Sequence, residues 1–309
     1  MIDEQDKTYR VVKHDIEQYL SVLGSESFTQ NQVDSQFNFR SREAKNYRWH
    51  ILENLVPKGI LQRLGTGKYR KIDTSLEELH WQSADLENTI NLARPLNLHR
   101  YIKTWHKSIE IIAGAPGAGK TAYLYDLVLR NMGNPMGIVI FTNDMTVEEI
   151  KERMCKSDFE IPTPAPFKMW DKADNFSDVI EPDKINIIDY LDLNSEVYLV
   201  GDEIERIYQK LKEGIAIIGL QKKPGQTLAI GGIFTIKRAK LYISLDSIKE
   251  SGQWLHKLTI QKARGRTDPT IDPRTIEIKF KLVNGIQFIP ISSTKPIEDD
   301  VEGQDEIPF

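Results

Sequence analysis

Residues 114–121 have the types and the spacing of a loop that binds phosphate. They read Gly-Ala-Pro-Gly-Ala-Gly-Lys-Thr, which fits the pattern G-x-x-x-x-G-K-[ST] of the P-loop. An apolar segment lies directly before them and a helical pattern directly after, so backbone N–H groups and a helix N-terminus would converge on phosphate oxygens. The sequence therefore predicts a site for ATP. The residues predicted to bind the nucleotide are Gly114, Ala115, Pro116, Gly117, Ala118, Gly119, Lys120, Thr121 and Ala122.

A P-loop also needs a metal ion, an acid that holds it, and a polar group near the terminal phosphate. Lys120 would neutralise charge on the β- and γ-phosphates, and the Thr121 hydroxyl would ligate Mg²⁺. Asp189 ends the apolar segment 185–189 and is predicted to be the carboxylate that binds Mg²⁺. Gln221 follows a further apolar segment, where a polar side chain can sense the γ-phosphate. ATP and Mg²⁺ are the predicted cofactors.

Three segments after the P-loop resemble motifs of one ATPase family. Residues 141–146, 187–191 and 217–221 are similar to the second-strand, Walker B and sensor motifs of the RecA-like ATPases of the DnaB replicative-helicase type. The resemblance implies that Asp144 polarises the attacking water. It also implies that Asp189 holds Mg²⁺ and that Gln221 senses the γ-phosphate, as proposed above from their positions. The family usually has Glu at this position, and the shorter Asp144 leaves slow hydrolysis or a switch-like role open.

A fourth segment implies that the site is shared between subunits. Residues 260–265 resemble the Lys-x-Arg-x-Gly element with which a neighbouring subunit of that family completes the site, although Gly265 comes one residue early. The resemblance makes Lys262 and Arg264 cations that act on the neighbour's nucleotide, in a homo-oligomer that is a hexamer in this family. A trans arginine contributes about 10³–10⁵ in rate, so the isolated protomer should be a poor ATPase.

Residues 224–240 lie between the sensor segment and these cations. In the resembling family this region supplies loops that bind single-stranded DNA in a central channel. Gly231 and Gly232 would allow close approach to a DNA backbone, and Lys237 and Arg238 would bind its phosphates. A simple β-turn accounts for the same residues, and this alternative stays open.

These residues need a scaffold that brings the ends of several strands together. Between residues 108 and 288, apolar strand patterns alternate with helical ones. Such alternation predicts a mainly parallel sheet wrapped by helices. The alternation predicts an α/β fold, the resemblance described above implies that its core is a RecA-like P-loop ATPase, and a small winged-helix domain is predicted to precede it.

The winged helix is predicted from residues 10–72, where three helical patterns precede two short strands around a glycine turn. This order resembles that DNA-binding family. Nine basic residues and two acids lie between residues 40 and 71, within a chain of net charge −4, and such clustering suits phosphate binding. A solvated face on a protein-interaction domain is the alternative. The predicted DNA contacts are Arg42, Lys45 and Arg48 in the third helix and Lys68 and Arg70 in the hairpin.

The chain divides into four predicted regions, and the last ends in a short motif. They are a winged-helix domain (1–75), a linker (76–100), the ATPase domain (101–292) and a disordered acidic tail (293–309). Residues 298–309 carry six acids and no base. The final Ile307, Pro308 and Phe309 resemble the tip of bacterial single-stranded-DNA-binding proteins, which implies docking on replisome proteins. A tail that only improves solubility is the alternative.

Composition excludes several other classes of protein. The single cysteine, Cys155, cannot form an internal disulfide and fits a reducing, cytoplasmic compartment. The first residues are acidic and polar, unlike a signal peptide. No apolar run approaches the roughly 20 residues that span a bilayer, so no membrane partner is predicted.

Together these features predict an oligomeric DNA-dependent ATPase acting as a helicase or translocase in replication of a phage or mobile element. It would bind duplex DNA through the winged helix and single-stranded DNA through the ATPase ring. A replication initiator or helicase loader, in which ATP switches assembly without unwinding, is a second hypothesis. A non-motor adaptor that competes for partners of the single-strand-binding protein is a third.

Overall fold

The computed structural model describes residues 8–24, 26–76, 78–191 and 199–293. Two compact units make up the chain, Met1–Ala84 and Asp85–Phe309. The predicted tail from residue 294 onward, with the partner-binding residues Ile307, Pro308 and Phe309, lies outside the described residues. In the described ranges no helix is long and apolar enough to cross a bilayer.

The first unit contains three helices and a small antiparallel sheet in the strand order β1-β3-β2. The helix α2 begins after Thr29, whose hydroxyl accepts a hydrogen bond from the Gln32 amide in a capping box. The three predicted helices and the hairpin are present; β1 was missed because three residues are too short for a recognisable period. The elements are α1 (Tyr9–Val22), β1 (Ser27–Thr29), α2 (Gln30–Phe37), α3 (Arg42–Leu55), β2 (Leu61–Gly65) and β3 (Lys68–Lys71).

The second unit contains a nine-stranded sheet with helices packed against it. Its strands are β4 (Ser108–Gly114), β5 (Ile138–Thr142), β6 (Phe167–Asp171), β7 (Ile185–Leu191), β8 (Ile215–Gln221), β9 (Leu241–Glu250), β10 (Gln253–Ala263), β11 (Glu277–Val283) and β12 (Gln287–Ser293). Its helices are α4 (Lys120–Arg130), α5 (Val147–Cys155), α6 (Leu199–Lys210) and α7 (Ile233–Ile236).

The strand order is β12-β11-β10-β9-β4-β8-β7-β5-β6. Strands β9, β4, β8, β7, β5 and β6 run parallel, and β10, β11 and β12 join them as antiparallel neighbours. All residues of β4 are buried, as expected for a central strand covered on both faces. The second unit thus has the mixed α/β fold, with a mainly parallel sheet, that the sequence predicted for a RecA-like P-loop ATPase core.

The prediction that residues 76–100 form a linker is wrong for residues 85–100. Leu92 and Leu98 are buried in the core of the second unit. Arg94 is fully buried, and its two terminal nitrogens donate hydrogen bonds to the Glu110 carboxylate at 2.8 and 2.6 Å. A buried ion pair of this geometry ties the segment to β4. The sequence pattern missed it because these residues form irregular turns without a helical or strand period.

Candidate nucleotide-binding site

The predicted P-loop joins the end of β4 to the start of α4. β4 ends at Gly114, and α4 begins at Lys120. Gly117 and Gly119 have φ angles of 72° and 94°, a conformation that side chains with a Cβ rarely adopt. The amide groups of the first turn of α4, with the positive end of its dipole, therefore point out of the loop where an anion would bind.

Lys120 turns back over the end of β4. A Cβ on Gly114 would lie 2.5 Å from the Lys120 Cγ, so only glycine leaves room for the lysine there. Burial lowers the pKa of Lys120, and Asp189 and Asp144 oppose the shift. No salt bridge to Lys120 occurs among the described residues, and its Nζ lies 5.5 Å from the ring centroid of Tyr190. An unpaired, partly desolvated ammonium group is suited to a phosphate.

A cavity of about 450 Å³ adjoins the loop. The predicted catalytic residues Asp144 and Gln221 line it together with Lys120. Asp144 is exposed, in the turn between β5 and α5, and Gln221 is the last residue of β8. Parallel strands present their carboxyl ends at one edge of the sheet, which is why residues far apart in sequence meet here. The tip of the β11–β12 hairpin closes one side through Leu282 and Gly285.

Asp189 and Thr121 form the predicted metal site. The Thr121 hydroxyl donates a hydrogen bond of 3.1 Å to Asp189 Oδ1. Asp189 is fully buried, and its Oδ2 has no hydrogen-bond partner. Burial raises the pKa of Asp189 to about 6, and the Thr121 hydrogen bond acts in the opposite direction.

These residues fit Mg²⁺, which prefers oxygen ligands and is held by one or two carboxylates plus substrate phosphates. The unpartnered Oδ2 supplies a free carboxylate oxygen at the site. In the part of the chain that the structure describes, no group of three or more His, Cys, Asp or Glu side chains could hold a metal ion. Oxygens of the nucleotide phosphates and of water would supply further ligands.

Two further polar groups, which were not predicted, lie next to Asp189 and Thr121. Thr142 pairs directly with Asp189 across β5 and β7. The hydroxyl groups of Thr142 and Tyr125 are both buried, and burial raises the pKa of Tyr125, while an interaction with the Thr142 hydroxyl opposes the shift. Tyr125 lies four residues after Thr121 in α4, so the two share a helix face. This spacing of four residues is the feature of the sequence from which the position of Tyr125 near Thr121 could have been predicted.

Arg153 also lines the cavity and was not predicted. It lies in the last turn of α5, nine residues after Asp144. No motif marks the position, because which face of α5 meets the cavity depends on how the helix packs against the sheet.

Lys262 and Arg264 do not reach the P-loop of their own chain. Ala263 is opposite Leu241 in β9, which is opposite Glu110 in β4, four residues before Gly114. At about 3.3 Å per residue, this is roughly 13 Å along the sheet from the loop. Lys262 Nζ donates to the carbonyl oxygens of Ile236 and Lys237 at 2.7 and 3.2 Å.

Arg264 and Gly265 follow directly after β10. Arg264 is exposed and has no salt bridge among the described residues, and it lowers the pKa of Lys240, whose main shift comes from burial. A Cβ on Gly265 would overlap the carbonyl oxygen of Lys103. The early glycine of the sequence motif is therefore required by close backbone packing.

The prediction that Arg48 contacts DNA is wrong. Its side chain is buried, with 5 % of the residue exposed, and its Nε and Nη2 donate to the Asp34 carboxylate at 2.9 and 2.7 Å. Positions three apart rotate by about 60° per step around a helix of 3.6 residues per turn. Arg42 and Lys45 are exposed, but the next step carries Arg48 to the buried face of α3.

The remaining predicted DNA contacts are exposed to different degrees. Lys68 is exposed, whereas Arg70 is partly buried and donates to Gln62 Oε1 at 2.6 Å. Residues 224–240 include α7 and are therefore more than a simple turn. Arg238 donates to Glu205 and stacks 4.1 Å from the centroid of the Tyr208 ring, while Lys237 is exposed.

Comparison with known proteins gives structural neighbours only. No protein-family model and no curated protein matches the sequence. A KaiC-like protein from Pyrococcus horikoshii is 13 % identical, with 66 % of this chain and 99 % of that chain covered and a TM-score of 0.49. The flagellar accessory protein FlaH from Methanocaldococcus jannaschii is 17 % identical, with the same coverages and a TM-score of 0.48. At this level of similarity neither structure bears on the reaction of this chain.

Proposed function

We propose that this chain is an oligomeric RecA-like ATPase that acts as a DNA helicase or translocase in replication of a phage or mobile element. The observation that carries the proposal is the position of Lys262 and Arg264. The P-loop, Asp144 and Gln221 line one cavity at the edge of the sheet, and Asp189 joins them through its hydrogen bond with Thr121. The two cations lie about 13 Å away along the strands. Their action on a nucleotide then requires a second copy of the chain.

Each residue of the site would have a separate role in ATP hydrolysis. The backbone amides of the P-loop and Lys120 bind the phosphates and offset the charge on the transferred group. Thr121 and Asp189 hold Mg²⁺, which stabilises charge on the phosphate oxygens when bound. Asp144 orients the attacking water and accepts its proton, and Gln221 contacts the γ-phosphate. Arg264 of a neighbouring copy stabilises the charge that develops on the transferred phosphoryl group.

Two features support the DNA part of the proposal. The first unit has the helices and hairpin expected of a winged helix, with Arg42 and Lys45 exposed on α3 and Lys68 exposed on the hairpin. In the second unit, Lys237 is exposed directly after α7, next to the exposed apolar side chains of Ile233 and Phe234. A cation beside exposed apolar and aromatic groups suits a single strand, whose bases stack and whose backbone is anionic.

A strand-displacement assay on forked DNA, run beside mass photometry with and without ATP, tests the proposal. We expect ATP-dependent unwinding, ATP turnover that single-stranded DNA stimulates, and an assembly larger than a dimer. The Lys120→Ala variant is the negative control. Turnover without any response to DNA would contradict the helicase role.

The second hypothesis, an ATP-switched initiator or loader, keeps one specific observation in its favour. Asp144 is shorter than the glutamate of the resembling family and is exposed to solvent. Stoichiometric ATP binding with assembly on DNA but without turnover would favour the switch over the motor. The adaptor hypothesis depends on the tail, which lies outside the described residues, and its test is loss of replisome partners when Phe309 is deleted.

Replacing Lys45 by glutamine is expected to weaken duplex DNA binding and to reduce the salt dependence of log K by about one unit of slope. Lys45 is exposed on α3 and would contact a phosphate. Fluorescence anisotropy across a salt series measures both quantities. Lys13→Gln removes the same charge from α1 and should change neither; equal effects of the two variants would contradict a specific DNA face on α3.

A further inference from the structure

We propose that Arg153 binds the terminal phosphate of ATP within its own subunit and so makes the site prefer a triphosphate to a diphosphate. The inference rests on the proposed function, since it assigns a further residue to the same site. Arg153 lines the cavity beside Lys120, Thr121, Asp144 and Gln221. It is the additional cation there, at a place where the motif analysis predicted only one lysine.

The helix α5 brings Arg153 to the same cavity wall as Asp144 and Gln221, the residues proposed to act at the terminal phosphate. The helix begins at Val147, directly after the turn that carries Asp144. Thr146 fixes this start, because its hydroxyl accepts from the Glu149 amide and its own amide donates to Glu149 Oε2 at 2.8 Å. The capping box defines where α5 begins, and Arg153 in its last turn reaches the wall of the cavity.

Arg153 has no salt bridge among the described residues, although acids are close in sequence. Glu149 is engaged in the capping box, and Glu152 forms a salt bridge with Lys156 at 2.6 Å. The side chain is only partly exposed. A guanidinium that is partly desolvated and lacks a carboxylate partner retains its donors for a ligand.

The charges around the cavity favour an anion contact by Arg153. Without it, the site would contain Lys120 against the carboxylates of Asp144 and Asp189. The terminal phosphate carries the charge that distinguishes ATP from ADP, and a planar guanidinium can bind two of its oxygens at once.

Arg264 cannot perform this role in the same chain, because it lies at the opposite edge of the sheet. The two arginines therefore differ in what they contribute. Arg153 contributes to binding of the ground-state triphosphate in every isolated protomer. Arg264 acts only where a second copy is present.

The test is a titration of the full-length protein with ADP and with a slowly hydrolysed ATP analogue, ATPγS, each with Mg²⁺, by isothermal calorimetry. Arg153→Gln is expected to weaken ATPγS binding about ten- to hundredfold, as for loss of a charge-assisted hydrogen bond, and to leave ADP binding unchanged. Arg153→Lys should recover part of the loss, because it restores charge but not the planar fork. Lys151→Gln, an exposed position on the same helix, is the matched control.

The same loss should appear in an Arg264→Ala background, since the contact lies within one subunit. Equal weakening of ADP and ATPγS, or no change in either, would overturn the inference. Thermal unfolding of the nucleotide-free variants shows whether each is folded. If Arg153→Gln does not fold, Arg153→Lys still tests the inference. Failure of the wild-type protein to bind either nucleotide would instead overturn the proposed function.

Discussion

Replacing Arg264 by alanine is expected to lower ATP turnover by about 10³-fold or more and to leave nucleotide binding intact. The register of β4, β9 and β10 keeps this residue roughly 13 Å along the sheet from its own P-loop. It has no salt bridge among the described residues, and it lies close enough to Lys240 and Lys262 to lower the pKa of both, in addition to the larger effect of burial. Within the described ranges none of these three cations forms a salt bridge with a carboxylate, and such a cluster fits a contact with another subunit's phosphates.

Mixing two inactive variants measures whether this contact acts between subunits. Arg264→Ala chains keep Lys120, and Lys120→Ala chains keep Arg264. In randomly mixed assemblies with head-to-tail interfaces, about a quarter of the sites would combine an intact Lys120 with an intact Arg264 from the neighbour. We therefore expect the mixture to recover turnover that neither variant has alone.

The control for this experiment is Arg274→Ala. Arg274 is exposed and forms a salt bridge with Asp272 at 2.6 Å, so its loss removes one positive charge without affecting the site. An Arg264→Ala variant as active as wild type would exclude a catalytic role. Two inactive variants that stay inactive when mixed, in assemblies of normal size, would contradict a site shared between subunits.

The features of the site that could be predicted are those that depend on local sequence. The P-loop is recognisable because its glycines, Lys120 and Thr121 are consecutive and must be so to join a strand end to a helix start. Gln221 is the last residue of β8, and Asp189 lies two residues before the end of β7. Both positions could be predicted because parallel strands bring their carboxyl ends together. In these cases chain position alone determines the place in the fold.

The features that could not be predicted depend on contacts between distant segments. Arg48 looked like a DNA contact because its partner, Asp34, lies on another helix, and no periodicity shows that pairing. The sequence pattern places Arg94 in a linker, because its partner, Glu110, lies in β4 and no local period shows the pairing. The place of Arg153 depends on the angle at which α5 packs, which no spacing encodes. An arginine in a buried ion pair and an arginine exposed to solvent look the same in the sequence.

Replacing Asp189 by asparagine is expected to abolish Mg²⁺-dependent turnover and, at the same time, to stabilise the nucleotide-free protein. Burial raises the pKa of Asp189 to about 6 from a usual 3.8. The ionised form is therefore disfavoured in the folded protein, and this destabilisation is fully present above about pH 6. It disappears as the pH falls below the unfolded value. At neutral pH the effect is on the order of 2–3 kcal/mol.

Asparagine keeps the oxygen that accepts from Thr121 and removes the charge, so the folded variant loses the desolvation penalty without losing the hydrogen bond. Urea unfolding without nucleotide or Mg²⁺, at neutral pH and again near pH 4, measures the difference. The variant should be more stable at neutral pH, and the gain should shrink at the lower pH. Asp174→Asn, at an exposed position, should show neither effect.

Addition of Mg²⁺ and ATP should then reverse the order of stability. The wild-type protein gains binding free energy through Asp189 and Thr121, whereas the variant has lost the carboxylate that holds the metal. A variant that is less stable than wild type without ligand would show that Asp189 serves the fold, through contacts that its charge maintains. A variant that is more stable and inactive would show that the fold tolerates a buried, unfavourable carboxylate because the nucleotide site requires it.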